Sequence, residues 1–255
     1  MSPGIEIRFE EKTMRICMWS GPRNLSTAMM YSFGARSDCA VVDEPFYAAY
    51  LAVSGADHPM RTEILATQET DPDSVAARLT GPAPEGRTDF YQKHMVHHML
   101  PGFMPQWPDD TRHVFLIRHP ARVVASYAAK REAPTLADLG FADQWRLFEA
   151  FAETGPIPLV IDSATIRADP RAALARLCAD LGLAFDGSML RWPAGGHRAD
   201  GAWAAHWYGA VHRSTGFAGP EGALPSLSGA YHDLAAAGMD AYGRLQAFSR
   251  NLAPL

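Results

Sequence analysis

Between Ile16 and Met30 the chain reads I-C-M-W-S-G-P-R-N-L-S-T-A-M-M. An apolar run, a tight polar turn and the start of a helix follow one another. That order gathers several backbone N–H groups and the positive end of a helix at one spot, an arrangement that holds phosphate. The candidate cradle is Gly21, Pro22, Arg23, Asn24, Leu25, Ser26 and Thr27, and it lacks the Gly-Lys-Ser/Thr ending of an ATP or GTP phosphate loop. A second segment, H-V-F-L-I-R-H-P-A-R-V-V-A-S-Y-A-A-K-R over residues 113–131, repeats the strand-to-helix order. Arg118 at the strand's end offers a planar fork to a phosphate, and Ser126, two turns into a helix begun by Pro120, adds a hydroxyl. Taken alone, such an arginine is more often a surface or capping residue. Two carboxylates, Asp43 and Glu44, end another apolar run, and His94, His97 and His98 cluster behind Lys93. No cysteine or carboxylate follows those histidines at ligand spacing, which argues against a metal site.

Five short runs, residues 15–19, 40–43, 89–94, 113–118 and 158–162, read as buried strands. Residues 24–35, 121–131, 142–153 and 169–183 read as helices, the last with Asp169 as N-cap, Pro170 at its first position and Gly182 as its stop. This alternation predicts an α/β fold, a three-layer sandwich of the P-loop type with a central parallel sheet of about five strands covered on both faces. Ligands of such sheets bind beyond the carboxyl ends of the strands, where the chemistry-bearing residues fall. Residues 72–87, rich in Pro, Gly and Ala, read as a surface connection, and residues 187–255 as an irregular cap ending in a helix near 231–248.

A chain of 255 residues suits a single domain over 1–255 with a substantial core. Its net charge of −5 argues against a nucleic-acid partner. Cys17, Cys39 and Cys178 are widely spaced, as expected of buried reduced thiols. The first twelve residues, M-S-P-G-I-E-I-R-F-E-E-K, carry no apolar export core, and no apolar stretch approaches a membrane span. A cytoplasmic protein without a membrane partner is expected.

The two phosphate segments together resemble the cofactor signatures of the sulfotransferase family. That family uses 3′-phosphoadenosine 5′-phosphosulfate (PAPS) and releases 3′-phosphoadenosine 5′-phosphate (PAP). Its first signature, P-[KR]-S-G-T-T, grips the 5′-phosphosulfate and is similar to Pro22-Arg23-Asn24-Leu25-Ser26-Thr27, with Leu25 at the glycine. Its second, R-x-P-x-x-x-x-x-S, grips the 3′-phosphate and resembles Arg118-His119-Pro120 with Ser126. A late R-K-G-x-x-G-x-W-x-x-H-F loop resembles Gly201-Ala202-Trp203-Ala204-Ala205-His206-Trp207 without its R-K-G triplet, which implies Gly201, Trp203 and the upstream Arg198 as cofactor contacts. A K-T-H-x-P…L-L-P segment that supplies the family's catalytic lysine and histidine resembles residues 90–101. Anchored on Lys93, it puts Met95 at the histidine. Anchored on Leu100-Pro101, it puts His94 there, and His94 is the favoured reading with His98 in reserve. Glu44-Pro45-Phe46 resembles the E-P-F turn whose glutamate acts as base in several members. The blocks run in order from about residue 15 to residue 217.

The resemblance implies in-line transfer of a sulfuryl group to a small-molecule hydroxyl. Arg23 and Lys93 would meet the developing charge, Glu44 or a histidine would take the proton, and no metal is required. Residues 85–89, 141–145, Trp192 and 203–208 are candidates for the acceptor pocket. The alternatives are an ATP-dependent small-molecule kinase or other P-loop enzyme, with Asp43 as the available magnesium ligand, and a non-catalytic nucleotide-binding relative.

Overall fold

The structure is a computed structural model and describes residues 13–130 and 133–249. The reading of residues 1–12, Arg131 at the end of its expected helix, and residues 250–255 of the expected cap lie outside the described residues.

All five expected strands form: β1 (Met14–Ser20), β2 (Cys39–Asp43), β3 (Asp89–Met95), β4 (Arg112–Ile117) and β5 (Leu159–Asp162). They pair in the order β2-β3-β1-β4-β5, every neighbour parallel. The strands are largely buried because helices cover both faces. Within β1, Ile16 and Met18 enter one core while Cys17 and Trp19 enter the other, as the two-residue period of a strand requires. The first core is completed by helix α1 (Ser26–Gly34), through Met29, Met30 and Phe33, and by the helix Pro170–Leu181. The second is completed by the helices Phe141–Thr154 and Gly229–Ser249, through Leu147, Phe148, Tyr242 and Leu245. Asp169 Oδ1 caps the helix after it by accepting from Ala172 N at 3.0 Å, and Gly182 ends that helix at φ 77°.

Residues 72–87 are not merely a surface connection. Pro72–Thr80 is a helix capped by Asp71, which accepts from Ser74 N at 3.0 Å, and Val75 and Leu79 bury into the second core. A further helix, α2 (Tyr47–Ser54), follows β2 directly. Between residue 187 and the last helix the chain is mostly irregular. It contains two one-turn helices, Ala204–Trp207 and Gly209–His212, and an antiparallel bridge between Arg191 and Gly216. The three cysteines are buried free thiols. Among the described residues no helix is long and apolar enough to cross a membrane.

Alternation along β3 decides a register that the sequence left open. Tyr91 enters the α1-side core and Phe90 the other, so Lys93 and Met95 share Tyr91's face while Gln92 and His94 share Phe90's. His94 stacks on Trp19, with ring centroids 4.3 Å apart, and burial pushes its pKa down to about 3. His98, also buried, is held well below the usual histidine range by burial and by neighbouring His97. An unfolded chain protonates both rings near pH ~6.5, whereas the folded chain resists until much lower pH. Stability is therefore complete above pH ~6.5 and lost on acidification below it. Denaturant titration should show a loss of at least about 2 kcal/mol between pH 7.5 and pH 5. Equal stability at the two values would mean that these rings are not buried as neutral imidazoles.

Candidate active site

A cavity of about 360 Å³ lies where the chain leaves the carboxyl ends of β1, β2, β3 and β4. Its floor is the turn after β1 and the first turn of α1. That helix has no side chain capping its N-terminus, and Ser26, Thr27 and Ala28 border the cavity, so the orphan N–H groups of the first turn stand beside it. Six non-glycine residues have positive φ among the described residues, and three of them, Arg23 (63°), Leu25 (75°) and Glu44 (41°), border this cavity. Leu25, at the place of the pattern's glycine, adopts a left-handed conformation at a cost of about 1–2 kcal/mol. Its side chain packs against the first core. Strained backbone thus gathers where chemistry is expected.

Gly21 and Asn24 stand behind the turn rather than in the cavity. A Cβ on Gly21 would come within 2.7 Å of Leu139 O, so only glycine lets the backbone pass. Asn24 Nδ2 donates to Leu116 O at 3.0 Å and ties the turn to β4.

Two arginines face each other across the turn. Arg23 Nε donates to Ser126 Oγ at 2.9 Å, and Arg118 Nη1 donates to Arg23 O at 2.8 Å. Burial and then the Arg118 charge lower the pKa of Arg23. Arg118 Nη2 meets Glu221, while Arg118 Nε is buried without a hydrogen-bond partner among the described residues.

Beside the arginines lies a buried acid–base cluster. Lys93 Nζ donates to Asp43 Oδ1 at 2.7 Å, to Glu44 Oε1 at 2.5 Å and to Tyr208 OH at 2.5 Å, which uses all three of its N–H groups. The Tyr208 phenol also accepts from Trp203 Nε1 at 2.9 Å and donates to Asp43 Oδ2 at 2.8 Å. Burial works against the Lys93 ammonium, but Asp43 and Glu44 outweigh it and its pKa is raised. Burial pushes Asp43 up to about 6, against the pull of Lys93. Glu44, unlike Asp43, borders the cavity. Also lining the cavity, His98 stacks on Tyr47 with ring centroids 4.4 Å apart, and the Tyr47 hydroxyl bonds His58 Nδ1 at 2.9 Å.

The structure thus brings the side chains of Arg23, Glu44, Lys93, His98, Arg118 and Ser126 to one cavity, with Pro22, Leu25, Ser26 and Thr27. It does not bring His94, which lies on the other face of the sheet; Met95 borders the cavity in its place. Nor does it bring Arg198, two-thirds exposed and paired with Glu85. Gly201 and Trp203 support the cluster from behind, Gly201 N donating to Asp43 Oδ2 at 3.4 Å. A Cβ on Gly201 would lie 2.1 Å from the Trp203 ring. Of the candidate acceptor-pocket segments, only Trp207 and Tyr208 border the cavity. Sequence reasoning missed Tyr208 as the partner of Lys93, and it missed Glu221 altogether. Among the described residues no group of His, Cys, Asp or Glu is disposed to hold a metal ion.

A family model described as "Sulfotransferase domain" matches residues 14–249. Two Arabidopsis thaliana relatives are named branched-chain-amino-acid aminotransferase-like protein 2 and protein 1. They are 37% identical over 205 residues and 34% identical over 237 residues, covering 80% and 93% of this chain. Those matches cover only 36% and 42% of the relatives, so the chain spans less than half their length. A solved sulfotransferase from Alicyclobacillus acidocaldarius superposes with a TM-score of 0.53 at 13% identity, over 92% of this chain and 95% of that one. A sulfotransferase domain from the curacin biosynthetic pathway superposes with a TM-score of 0.51 at 14% identity, over 90% and 98%. At such identities the likeness is one of fold: a parallel sheet wrapped by helices.

Proposed function

The chain belongs to the sulfotransferase domain family, and from that premise we propose that it moves a sulfuryl group from PAPS to a hydroxyl of a small acceptor, with Glu44 as general base. The observation that carries the reading is the meeting, at one cavity, of an uncapped helix start, two arginines and the Lys93–Glu44 pair. These residues suit a ligand with phosphates at two separate positions. The first-turn N–H groups of α1 and Arg23 hold the 5′-phosphate, while Arg118 and Ser126 hold the 3′-phosphate. PAPS, when bound, supplies an activated sulfuryl group and a 5′-phosphate that takes up charge as the group leaves. Arg23 stabilises that charge from a fixed position. Lys93, its donors all engaged, acts by its field and holds the Glu44 carboxylate in place through their hydrogen bond, and Glu44 removes the acceptor's proton as the new bond forms. The residues act as one sulfotransferase-like domain, in the cytoplasm, with neither nucleic acid nor membrane as partner and with no metal required.

The test is a thermal-shift comparison of PAP with ATP plus Mg²⁺. PAP at 100 times its Kd should raise the unfolding temperature by roughly 5–10 °C, from about 2.7 kcal/mol of linked stability. A shift with ATP–Mg²⁺ and none with PAP would transfer the site to a kinase-like enzyme.

A further inference from the structure

Three arginines from three elements converge on one carboxylate. Arg118 follows β4, Arg122 lies in the helix Pro120–Ala128 and Arg167 in the helix Ser163–Ala168. Arg122 Nε and Arg167 Nη1 each lie 3.0 Å from a Glu221 oxygen, Arg118 Nη2 completes the clasp, and the Glu221 side chain is only 3% exposed.

Two features set this apart from a structural ion pair. The first is charge. Three guanidinium groups against Glu221, with the Asp162 carboxylate also within electrostatic reach of it, leave an excess of positive charge, which a phosphate dianion offsets better than a carboxylate does. Arg118 Nε, buried and without a partner among the described residues, is a further unmet donor of the same clasp. The second is the attachment of Glu221. Residues 218–220 and 222–224 around it are exposed. The strap is held by its arginines, Arg167 Nε donating to Gly219 O at 2.9 Å and Arg122 Nη2 to Gly222 O. Its other end, at Phe217 and Ala218, forms part of the cavity wall. Releasing Glu221 therefore exposes little core.

The clasp also adjoins the donor site. Arg118 is shared by both, and Arg122 stands four residues before Ser126, on the same face of one helix. The late loop's R-K-G triplet is missing, and Arg198 lies on the surface with Glu85.

Resting on the sulfotransferase reading, we propose that Arg122 and Arg167 are donor-binding residues that hold the 3′-phosphate with Arg118, and that Glu221 is a stand-in anion displaced by that phosphate. The cations that the sequence pattern lacks are then supplied from two other helices. Two anions cannot share the clasp, since like charges about 4 Å apart repel strongly even near a protein surface.

The experiment is calorimetric titration of PAP and of adenosine 5′-phosphate, which lacks only the 3′-phosphate, into wild type, Glu221→Gln, Arg122→Gln and Arg167→Gln, with thermal unfolding as a check on folding. Glu221→Gln should bind PAP at least fivefold more tightly, and Arg122→Gln and Arg167→Gln at least tenfold more weakly. Adenosine 5′-phosphate should bind all four alike. If the arginines only anchored the strap, Arg122→Gln and Arg167→Gln would tighten PAP as Glu221→Gln does, which overturns their assignment. PAP affinities within twofold of wild type in every variant overturn the whole inference while leaving the donor intact. Absence of PAP binding to wild type and variants alike removes the sulfotransferase reading itself.

Discussion

Replacing Glu44 by glutamine is expected to slow sulfuryl transfer by roughly 10²–10⁴-fold while leaving PAP binding within twofold of wild type. The amide oxygen of glutamine can still accept from Lys93, and Tyr208 keeps its bond to Asp43, so the cluster holds together and only the capacity to take a proton is lost. Glu44 is the carboxylate to test because it is the one of the pair that borders the cavity. Asp43 is engaged by Lys93, Tyr208 and the backbone of Gly201. A glutamine variant turning over within threefold of wild type would move the base elsewhere, with His98 the next group to examine. His94 is no rival, since it faces the opposite core.

Substituting Lys93 by methionine is expected to cost about 3–5 kcal/mol of folding stability. The methionine fills similar space and leaves two adjacent carboxylates without their cation in a site that water hardly reaches. The folded variant lowers that cost by keeping a proton on Asp43, whose buried carboxyl already lies above its usual range and loses the opposing pull of Lys93. A raised folded pKa stabilises at low pH and is lost as pH rises through it. The deficit relative to wild type should therefore shrink from pH 8 to pH 5 in denaturant titrations. A deficit under 1 kcal/mol, or one independent of pH, would mean that Lys93 does not carry the charge balance of the cluster.

The five strands were legible because each is a short run near a turn cluster or a helical pattern, and the parallel sheet followed from their alternation with helices. The helix Pro72–Thr80 was legible in principle. Asp71 and Pro72 are a cap and first-position signature, and Val75 and Leu79 lie one turn apart; the Pro, Gly and Ala around them hid it. Which of His94 and Met95 takes the place of the family's histidine was not legible, because a strand turns neighbouring residues to opposite faces and two anchor points differed by one. Tyr208 was visible only as an aromatic of the cap. Its hold on Lys93 is set by where the irregular segment folds back, which no local pattern encodes. Glu221 stood outside every motif, for it gains meaning only from three arginines brought together by the tertiary fold.

The middle strand of the sheet has no sequence neighbour beside it. Met14 pairs with Asp89 and Ile16 with Arg112, and the phosphate turn hangs from the end of that strand. At ordinary synthesis rates of ~5–20 residues per second, β1 waits roughly 4–15 s before β3 has even been made. Tyr208 and Glu221 follow later still. During that interval β1 is an apolar ribbon with both edges unpaired, the kind of segment that chaperones shield and that misassembles when they do not. Such long-range pairing also makes refolding slow. The stretch most readable on paper is the one that must wait longest for its neighbours.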